Sequence, residues 1–248
     1  MKRKTIIILL CVILAVVALV VGLVLGLQGK GNGGGNGGEN APPNNPAEPL
    51  PNYTVTFLND DKSVFKKITV VSGEAPTSPG IPTMVQGYAF AGWDADLSSV
   101  TKDMTVLPLR EEISSEKNVI SISDGYGITG DTVTLPLSLC GKVDICCFEL
   151  RIAYDKASLQ FVDFSNEDAG ITANCDAVNG IIYLNYVSTN NTTGQVDLCD
   201  ISFKLIGNTK AQVPLDITVD LAVKINDTDG YESVACGVRN GKIDLMGR

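Results

Sequence analysis

The stretch that decides the fold runs from Phe148 to Asp155 and reads FELRIAYD. Its large apolar residues occupy alternate positions, at Phe148, Leu150, Ile152 and Tyr154. A period of two is typical of a β-strand with one face in a core, because successive side chains point to opposite faces of a sheet. The pattern predicts that the intervening row points outward, namely Cys147, Glu149, Arg151 and Ala153.

Short segments of the same kind surround this stretch, and turn signals such as Asn179-Gly180 and Asn240-Gly241 separate them. The predicted strands cover residues 119–123, 132–139, 148–154, 181–187, 201–205, 215–219 and 242–245. No long amphipathic helix is predicted between them, so we expect a mainly β protein built as a sandwich. In the strand from Ile181 to Val187, the same parity buries the even positions and turns Tyr183, Asn185 and Val187 outward.

The composition excludes several kinds of function. The 248 residues contain no histidine, so a Ser-His-Asp or Cys-His catalytic system and His-ligated zinc are excluded. The net charge of -9 argues against nucleic acid as a partner, because phosphate binding needs clustered Lys and Arg. No catalytic residue, metal ligand or cofactor is expected, and we predict that the protein is not an enzyme.

The N-terminal 28 residues indicate a membrane anchor. Lys2, Arg3 and Lys4 precede an uncharged apolar run over residues 5–27, which is long enough to cross a hydrocarbon core of ~30 Å. No small-residue cleavage site follows, which favours a transmembrane signal anchor. Basic residues stay inside, so we expect a single-pass cell-membrane protein with a cytoplasmic N-terminus and an extracellular bulk. Residues 29–51 are rich in Gly, Asn and Pro and are predicted to be a linker.

Residues 52–112 are predicted to form a small module of their own. Alternation over residues 53–58 and 64–71 predicts a hairpin, and residues 87–94 read GYAFAGWD. The G-Y-x-F-x-G-W pattern resembles the surface repeat of the listeria-bacteroides type, also called the internalin B-repeat, which implies a β-grasp fold. The single tryptophan, Trp93, is expected in the core of this module and not on a sugar-binding surface.

The region from residue 113 to residue 248 carries a second resemblance. Residues 130–137 read GDTVTLPL, residues 148–155 read FELRIAYD, residues 159–162 read LQFV, and residues 240–243 read NGKI. In this order and spacing, the blocks resemble a cohesin domain over about 118–248. The resemblance implies a jelly-roll β-sandwich that binds a dockerin-like protein module on one flat sheet face, with calcium on the partner side.

The resemblance also implies where the partner binds. The outward rows of two strands belong to the dockerin-facing sheet, and they give the predicted partner-binding residues Cys147, Glu149, Arg151, Tyr183, Asn185 and Val187. Cohesins often present an Asn/Asp pair at the start of the first of these strands, and here Cys147 and Glu149 take its place. An ordinary solvated sheet face is the alternative interpretation of the same residues.

These features together predict a membrane-anchored cell-surface scaffold that captures a dockerin-type module of polysaccharide-degrading machinery. Direct polysaccharide binding and a structural adhesion stalk are the alternatives left open. Six cysteines lie beyond the anchor, at Cys140, Cys146, Cys147, Cys175, Cys199 and Cys236. An oxidising exterior permits disulfides between them, and the sequence leaves their pairing open.

Overall fold

The computed structural model describes residues 48–247, except residues 143, 166, 167, 169, 193, 227 and 229. The predicted basic tail, the anchor at residues 5–27 and nearly all of the linker lie outside the described residues. In the described part of the chain, no helix has the length and hydropathy that a membrane span requires. Residues Pro49–Arg248 form one compact unit.

The first part of this unit contains five strands. They are β1 (Asn52–Leu58), β2 (Val64–Val71), β3 (Tyr88–Trp93), β4 (Met104–Val106) and β5 (Pro108–Glu112). Strands β1 and β2 form the predicted antiparallel hairpin, and β4 lies parallel to β1 on its other side. Strand β3 pairs with β5 in a separate two-stranded sheet.

The second part is a β-sandwich, as the alternation predicts. Its strands are β6 (Asn118–Ile122), β7 (Gly125–Ile128), β8 (Thr132–Gly141), β9 (Cys147–Tyr154), β10 (Leu159–Ser165), β11 (Ile171–Asp176), β12 (Ile181–Val187), β13 (Val196–Leu205), β14 (Ala211–Ile225), β15 (Tyr231–Ser233), β16 (Cys236–Arg239) and β17 (Gly241–Met246). One sheet has the order β10-β13-β8-β6-β16. The other has the order β11-β12-β9-β14-β17-β7, and β15 pairs with β14.

The core of the sandwich lies between these two sheets. The predicted inward rows of β9 and β12 are buried in it, and they face buried residues of β8 and β13 such as Leu135 and Phe203. Burial of each Leu, Ile or Phe side chain stabilises the fold by roughly 1.5–3 kcal/mol. The alternation predicted for β9 and β12 is therefore confirmed, and it fixes which side chains remain on the outer face.

A second core joins the first five strands to the edge of the sandwich. It contains Phe57, Phe90 and Trp93 together with Tyr126, Ile128 and Met246 of strands β7 and β17. Glycines alternate with Tyr126 and Ile128 because the inner side of β7 has no room for a side chain. A Cβ on Gly125 would lie 2.8 Å from Leu135, and one on Gly127 would lie 2.8 Å from Leu205. Strand β7 therefore turns its large residues away from the sandwich core and into the second one.

Trp93 lies inside this second core, as predicted. Its ring centroid lies 4.8 Å from that of Phe57, 5.3 Å from that of Phe90 and 6.3 Å from that of Phe65. The first two pairs have edge-to-face geometry, which aromatic quadrupoles favour. The indole Nε1 is buried without a hydrogen-bond acceptor among the described residues.

Arg239 connects the two parts of the unit through charge. Its Nε donates to Glu111 at 2.8 Å, and its Nη1 donates to Asp124 at 2.9 Å and to the backbone oxygen of Ile122 at 2.6 Å. Both Arg239 and Asp124 have nearly buried side chains, whereas Glu111 is exposed. Burial raises the pKa of Asp124, and the nearby guanidinium opposes that shift.

Candidate functional site

The predicted site residues lie together on the outer face of the second sheet. Strands β9 and β12 are antiparallel neighbours, and their register makes three directly opposed pairs: Tyr183 with Arg151, Asn185 with Glu149, and Val187 with Cys147. Cys147 is half-buried, and the other five residues are exposed. The structure thus brings all six into one patch, and their role in partner binding stays a prediction.

Polar residues extend this patch onto the flanking strands. On β11, Asn174 lies opposite Tyr183 and Thr172 lies opposite Asn185. On β14, Thr218 lies opposite Arg151. All three are exposed. The centre of the face is therefore a hydrogen-bonding surface four strands wide, with the Tyr183 ring as its only aromatic group among the described residues of these rows.

One ion pair holds the basic side chain of the face in a fixed position. Arg151 donates from Nε and Nη2 to the two carboxylate oxygens of Asp220, at 2.8 Å each. This hydrogen-bonded contact lowers the pKa of Asp220 and raises that of Arg151. Both side chains are exposed, so the pair adds little to stability. Its effect is geometric, because two parallel hydrogen bonds orient the guanidinium across the strands.

A β-bulge in β14 decides which residues join the face. The register of β14 on β9 shifts between Val219 and Leu221, and Asp220 is the extra residue. Before the bulge, even-numbered residues such as Thr218 point outward, whereas after it Leu221 points outward and Ala222 is buried. Bulges re-aim side chains in this way. Strict alternation does not reveal it, so Asp220 and Leu221 were missed by the sequence analysis.

The end of the face beyond the bulge is apolar. Val187 is 63% exposed, and it lies in the same cross-strand row as the half-buried Cys147 and Val223. Burial raises the pKa of the Cys147 thiol, and the neighbouring Cys146 and Glu149 raise it further. The thiol is therefore protonated at neutral pH, and it acts as a small apolar contact and not as a nucleophile.

The other cysteines lie away from this face or beneath it. Cys140 and Cys236 flank strand β6 on its two sides, opposite Val119 and Asn118 respectively. Because adjacent residues of a strand point to opposite faces, these two thiols cannot form a disulfide with each other. Burial raises the pKa of Cys140 to about 12 and that of Cys236 to about 11. Cys146 and Cys175 are also present as thiols.

The described residues contain no group of three or more Cys, Asp and Glu side chains placed to hold a metal ion. The six predicted residues and their neighbours form a continuous exposed surface on this sheet. It is a flat, four-stranded sheet face with a polar centre, one fixed ion pair and an apolar end. Such a composition is typical of protein interfaces, which combine an apolar part with a polar surround.

Comparison with known proteins identifies the family. Residues 119–244 match the cohesin domain, which is just over half of the chain. The chain belongs to the cohesin family, whose domains are non-catalytic binding modules. No curated protein matches the sequence.

Solved cohesin structures resemble part of the chain. The seventh ScaB type I cohesin of Pseudobacteroides cellulosolvens is 16% identical, with a TM-score of 0.47, and covers 54% of this chain and 94% of its own. A type I cohesin–dockerin complex of Clostridium thermocellum contains a chain that is 14% identical, with a TM-score of 0.45, and the match covers 53% of this chain and 100% of that one. A non-cellulosomal cohesin of Archaeoglobus fulgidus is 14% identical, with a TM-score of 0.44, and the match covers 53% of this chain and 92% of that one. The family assignment rests on the sequence match.

Proposed function

We propose that this protein is a surface receptor that captures a dockerin-type module on the outer face of β11, β12, β9 and β14. Family membership supports a dockerin as the partner, since dockerin binding is the activity that the cohesin resemblance implies. The partner belongs, in this proposal, to polysaccharide-degrading machinery. The chain contributes no chemistry of its own, and its task is to hold the partner in place.

The observation that carries the proposal is the register of β9 and β12. It sets the six predicted residues directly opposite one another, on a sheet face that no described element covers. Tyr183 is 40% exposed and lies beside the fixed Arg151–Asp220 pair. Tyrosine combines a large apolar ring with a hydroxyl and is enriched among residues that dominate binding energy.

Tyr183→Ala is expected to weaken dockerin binding by about 2 kcal/mol, or roughly thirty-fold, because the ring is lost from the centre of the contact. Thermal stability is expected to change little, since the ring is exposed in the unbound protein. Calorimetric titration of the full-length protein with a panel of recombinant dockerins measures the first effect, and thermal unfolding measures the second.

Leu184→Ala, one residue along the same strand, is the matched control. Leu184 is fully buried between the sheets, so its truncation is expected to lower the free energy of unfolding by about 2–5 kcal/mol. Binding by the remaining folded protein is expected to stay near that of the wild type. A dockerin that binds Tyr183→Ala as tightly as the wild type contradicts the proposed face.

The N-terminal part of the chain is proposed to place this receptor at the cell surface. In this proposal residues 5–27 cross the membrane, residues 29–51 are a tether, and residues 52–112 are a β-grasp repeat that acts as a spacer below the sandwich. The basic residues Lys2, Arg3 and Lys4 before the apolar run support this orientation.

Protease added to intact cells is expected to remove the sandwich, while an N-terminal tag remains protected until the cells are lysed. Immunoblotting with antibodies against the two ends measures the result. Full protection of the C-terminal end in intact cells contradicts the orientation, and release of the whole chain by a high-salt wash contradicts the anchor.

A further inference from the structure

A cleft lies on the opposite side of β14 from β9, where the first part of the unit meets the sandwich. It has a volume of about 510 Å³, it is lined by the start of β14 and by β17 and β7, and residues 92–97 contribute to its wall. Small-molecule sites in proteins have volumes of roughly 300–1,000 Å³, whereas one water molecule takes about 30 Å³. The cleft is therefore large enough for a ligand of many atoms.

The cleft exists because the segment after β3 is held at one point and open at another. The register of β3 on β5 shifts between Phe90 and Trp93, and Gly92 within this shift has a φ of +106°, which favours glycine. A Cβ on Gly92 would meet no atom within 4 Å, so the space beside it is open. Further along, the Tyr126 hydroxyl donates to the backbone oxygen of Leu97 at 3.4 Å. This contact fixes the segment to β7 and leaves the space above β14 unfilled.

The inner end of the cleft is apolar. Four buried members of the second core line it, namely Trp93, Leu97, Tyr126 and Met246. They border the cleft with part of their surface, while the rest packs inside that core. Such walls favour a ligand with an apolar body, because its binding removes further apolar surface from water.

The cleft also contains a carboxylate that the protein does not pair. Asp244 is half-buried, lies opposite Gln212 in the ladder of β14 and β17, and forms no hydrogen bond or ion pair with any residue that the structure describes. Asp96, in contrast, accepts a hydrogen bond from the Ser98 backbone at 2.9 Å and lies 3.8 Å from the Lys210 ammonium. A partly buried carboxylate without a partner loses hydration and gains no contact in return. A cation is therefore the group that this site lacks.

The electrostatic field in the cleft is negative. Burial raises the pKa of the Tyr126 hydroxyl, and the negative charges of Asp131, Asp96 and Asp244 raise it further. The only cationic side chain that lines the cleft among the described residues is Lys210, which is mostly exposed and makes a long contact with Asp96. An exposed pair of this kind screens little of the charge of Asp244. Aromatic walls add to the preference for a cation, since ring faces carry partial negative charge.

We infer that this cleft binds an organic cation, with a primary ammonium group at Asp244 and Gln212 and an apolar stem against the four apolar side chains. The carboxylate and the amide oxygen accept hydrogen bonds from the ammonium, which has three donors. The ligand is a free amine or the lysine side chain of another protein, since both carry this group. The inference is independent of dockerin capture, which uses the face on the other side of β14.

Tryptophan fluorescence of the full-length protein measures binding, because Trp93 is the only tryptophan of the chain and borders the cleft. The probes are phenethylamine, its neutral analogue phenethyl alcohol and its anionic analogue hydrocinnamate. The amine is expected to give a saturable change in emission and to bind at least tenfold more tightly than the alcohol, because only the ammonium pairs with Asp244. No saturation is expected with the anion, which Asp96 and Asp244 repel.

Asp244→Asn is expected to lower the affinity for phenethylamine at least tenfold and to leave that for phenethyl alcohol unchanged. Asp216→Asn is the matched control, because Asp216 is an exposed carboxylate on β14 outside the cleft. Thermal unfolding of Asp244→Asn is expected to match that of the wild type, since the Asp244 side chain makes no hydrogen bond or ion pair with the described residues.

Equal affinities for phenethylamine and phenethyl alcohol, or an unchanged affinity in Asp244→Asn, overturn the cation site. A wild type whose emission responds to none of the probes overturns the cleft as a ligand site. N-acetyl-lysine amide separates the two sources of the cation: tighter binding than phenethylamine supports a lysine of another protein, and weaker binding supports a free amine. None of these measurements involves a dockerin, so their failure leaves the proposed function as it stands.

Discussion

Arg239→Met is expected to lower the free energy of unfolding by about 3–5 kcal/mol at neutral pH, because it leaves the buried Asp124 carboxylate without its hydrogen-bonded cation. Arg239 also donates to Glu111 and to the backbone of Ile122, so one substitution removes three contacts between β16 and its surroundings. Denaturant unfolding followed by circular dichroism measures the loss in the full-length protein.

The loss is expected to depend on pH in a defined direction. Burial raises the pKa of Asp124, while attraction and hydrogen bonding from Arg239 lower it. An unfolded chain therefore ionises this carboxyl at lower pH than the folded one, and stability falls as pH rises through the interval between the two pKa values. Removing Arg239 widens that interval upward, so the destabilisation grows between about pH 4 and neutrality.

Two further variants make this result interpretable. Arg239→Met combined with Asp124→Asn is expected to recover part of the stability, since no uncompensated charge stays buried. Lys210→Met removes a comparable cation from an exposed pair, in which Lys210 lies 3.8 Å from Asp96, and is expected to change stability by less than about 0.5 kcal/mol. A loss of stability in Arg239→Met that is the same at about pH 4 as at neutral pH contradicts the buried-pair explanation.

Strand parity was sufficient to predict that the six residues point outward, and the family resemblance placed their two strands on the same sheet. In β9 and β12, each apolar residue at an even position is buried and each residue at an odd position is exposed or half-buried, because neither strand is interrupted. Their mutual register could not be read from parity. It depends on the antiparallel pairing of two strands that are separated by β10 and β11 in the chain.

The same reasoning fails in β14 for a physical reason. Residues 217 to 223 continue an odd-numbered apolar alternation, which predicts Leu221 inside, yet the bulge inserts Asp220 and places the small Ala222 against Phe148 instead. A single extra residue exchanges the two faces of a strand. Sequence periodicity carries no mark of that insertion, so the outward position of Leu221 could be found only in the structure.

The contact between the two parts of the chain was also absent from the sequence analysis. Residues 125–128 read GYGI, too short and too glycine-rich to be predicted as a strand. The glycines are a consequence of close packing against Leu135 and Leu205, and this packing sends Tyr126 and Ile128 into the second core. The assignment of residues 52–112 as a separate β-grasp module stays a prediction.

Trp93→Ala is expected to lower the free energy of unfolding by about 3–5 kcal/mol, because it opens a cavity among Phe57, Phe65 and Phe90. Trp93→Phe is the matched control and is expected to cost less than half as much. It retains an aromatic ring, and the indole Nε1 that it removes has no acceptor among the described residues. Circular dichroism measures the unfolding, because Trp93 is the only tryptophan of the chain and both variants lack the fluorescence that it gives.

The same variant distinguishes dockerin capture from direct polysaccharide binding. Sugar platforms need an exposed ring, and Trp93 is enclosed by three aromatic neighbours from its own part of the chain. Trp93→Ala is therefore expected to bind a dockerin with wild-type affinity at a temperature where the protein remains folded. The opposite result is that the wild-type protein binds soluble polysaccharide and a folded Trp93→Ala variant does not. That result contradicts the expectation and makes the second core the site of sugar binding.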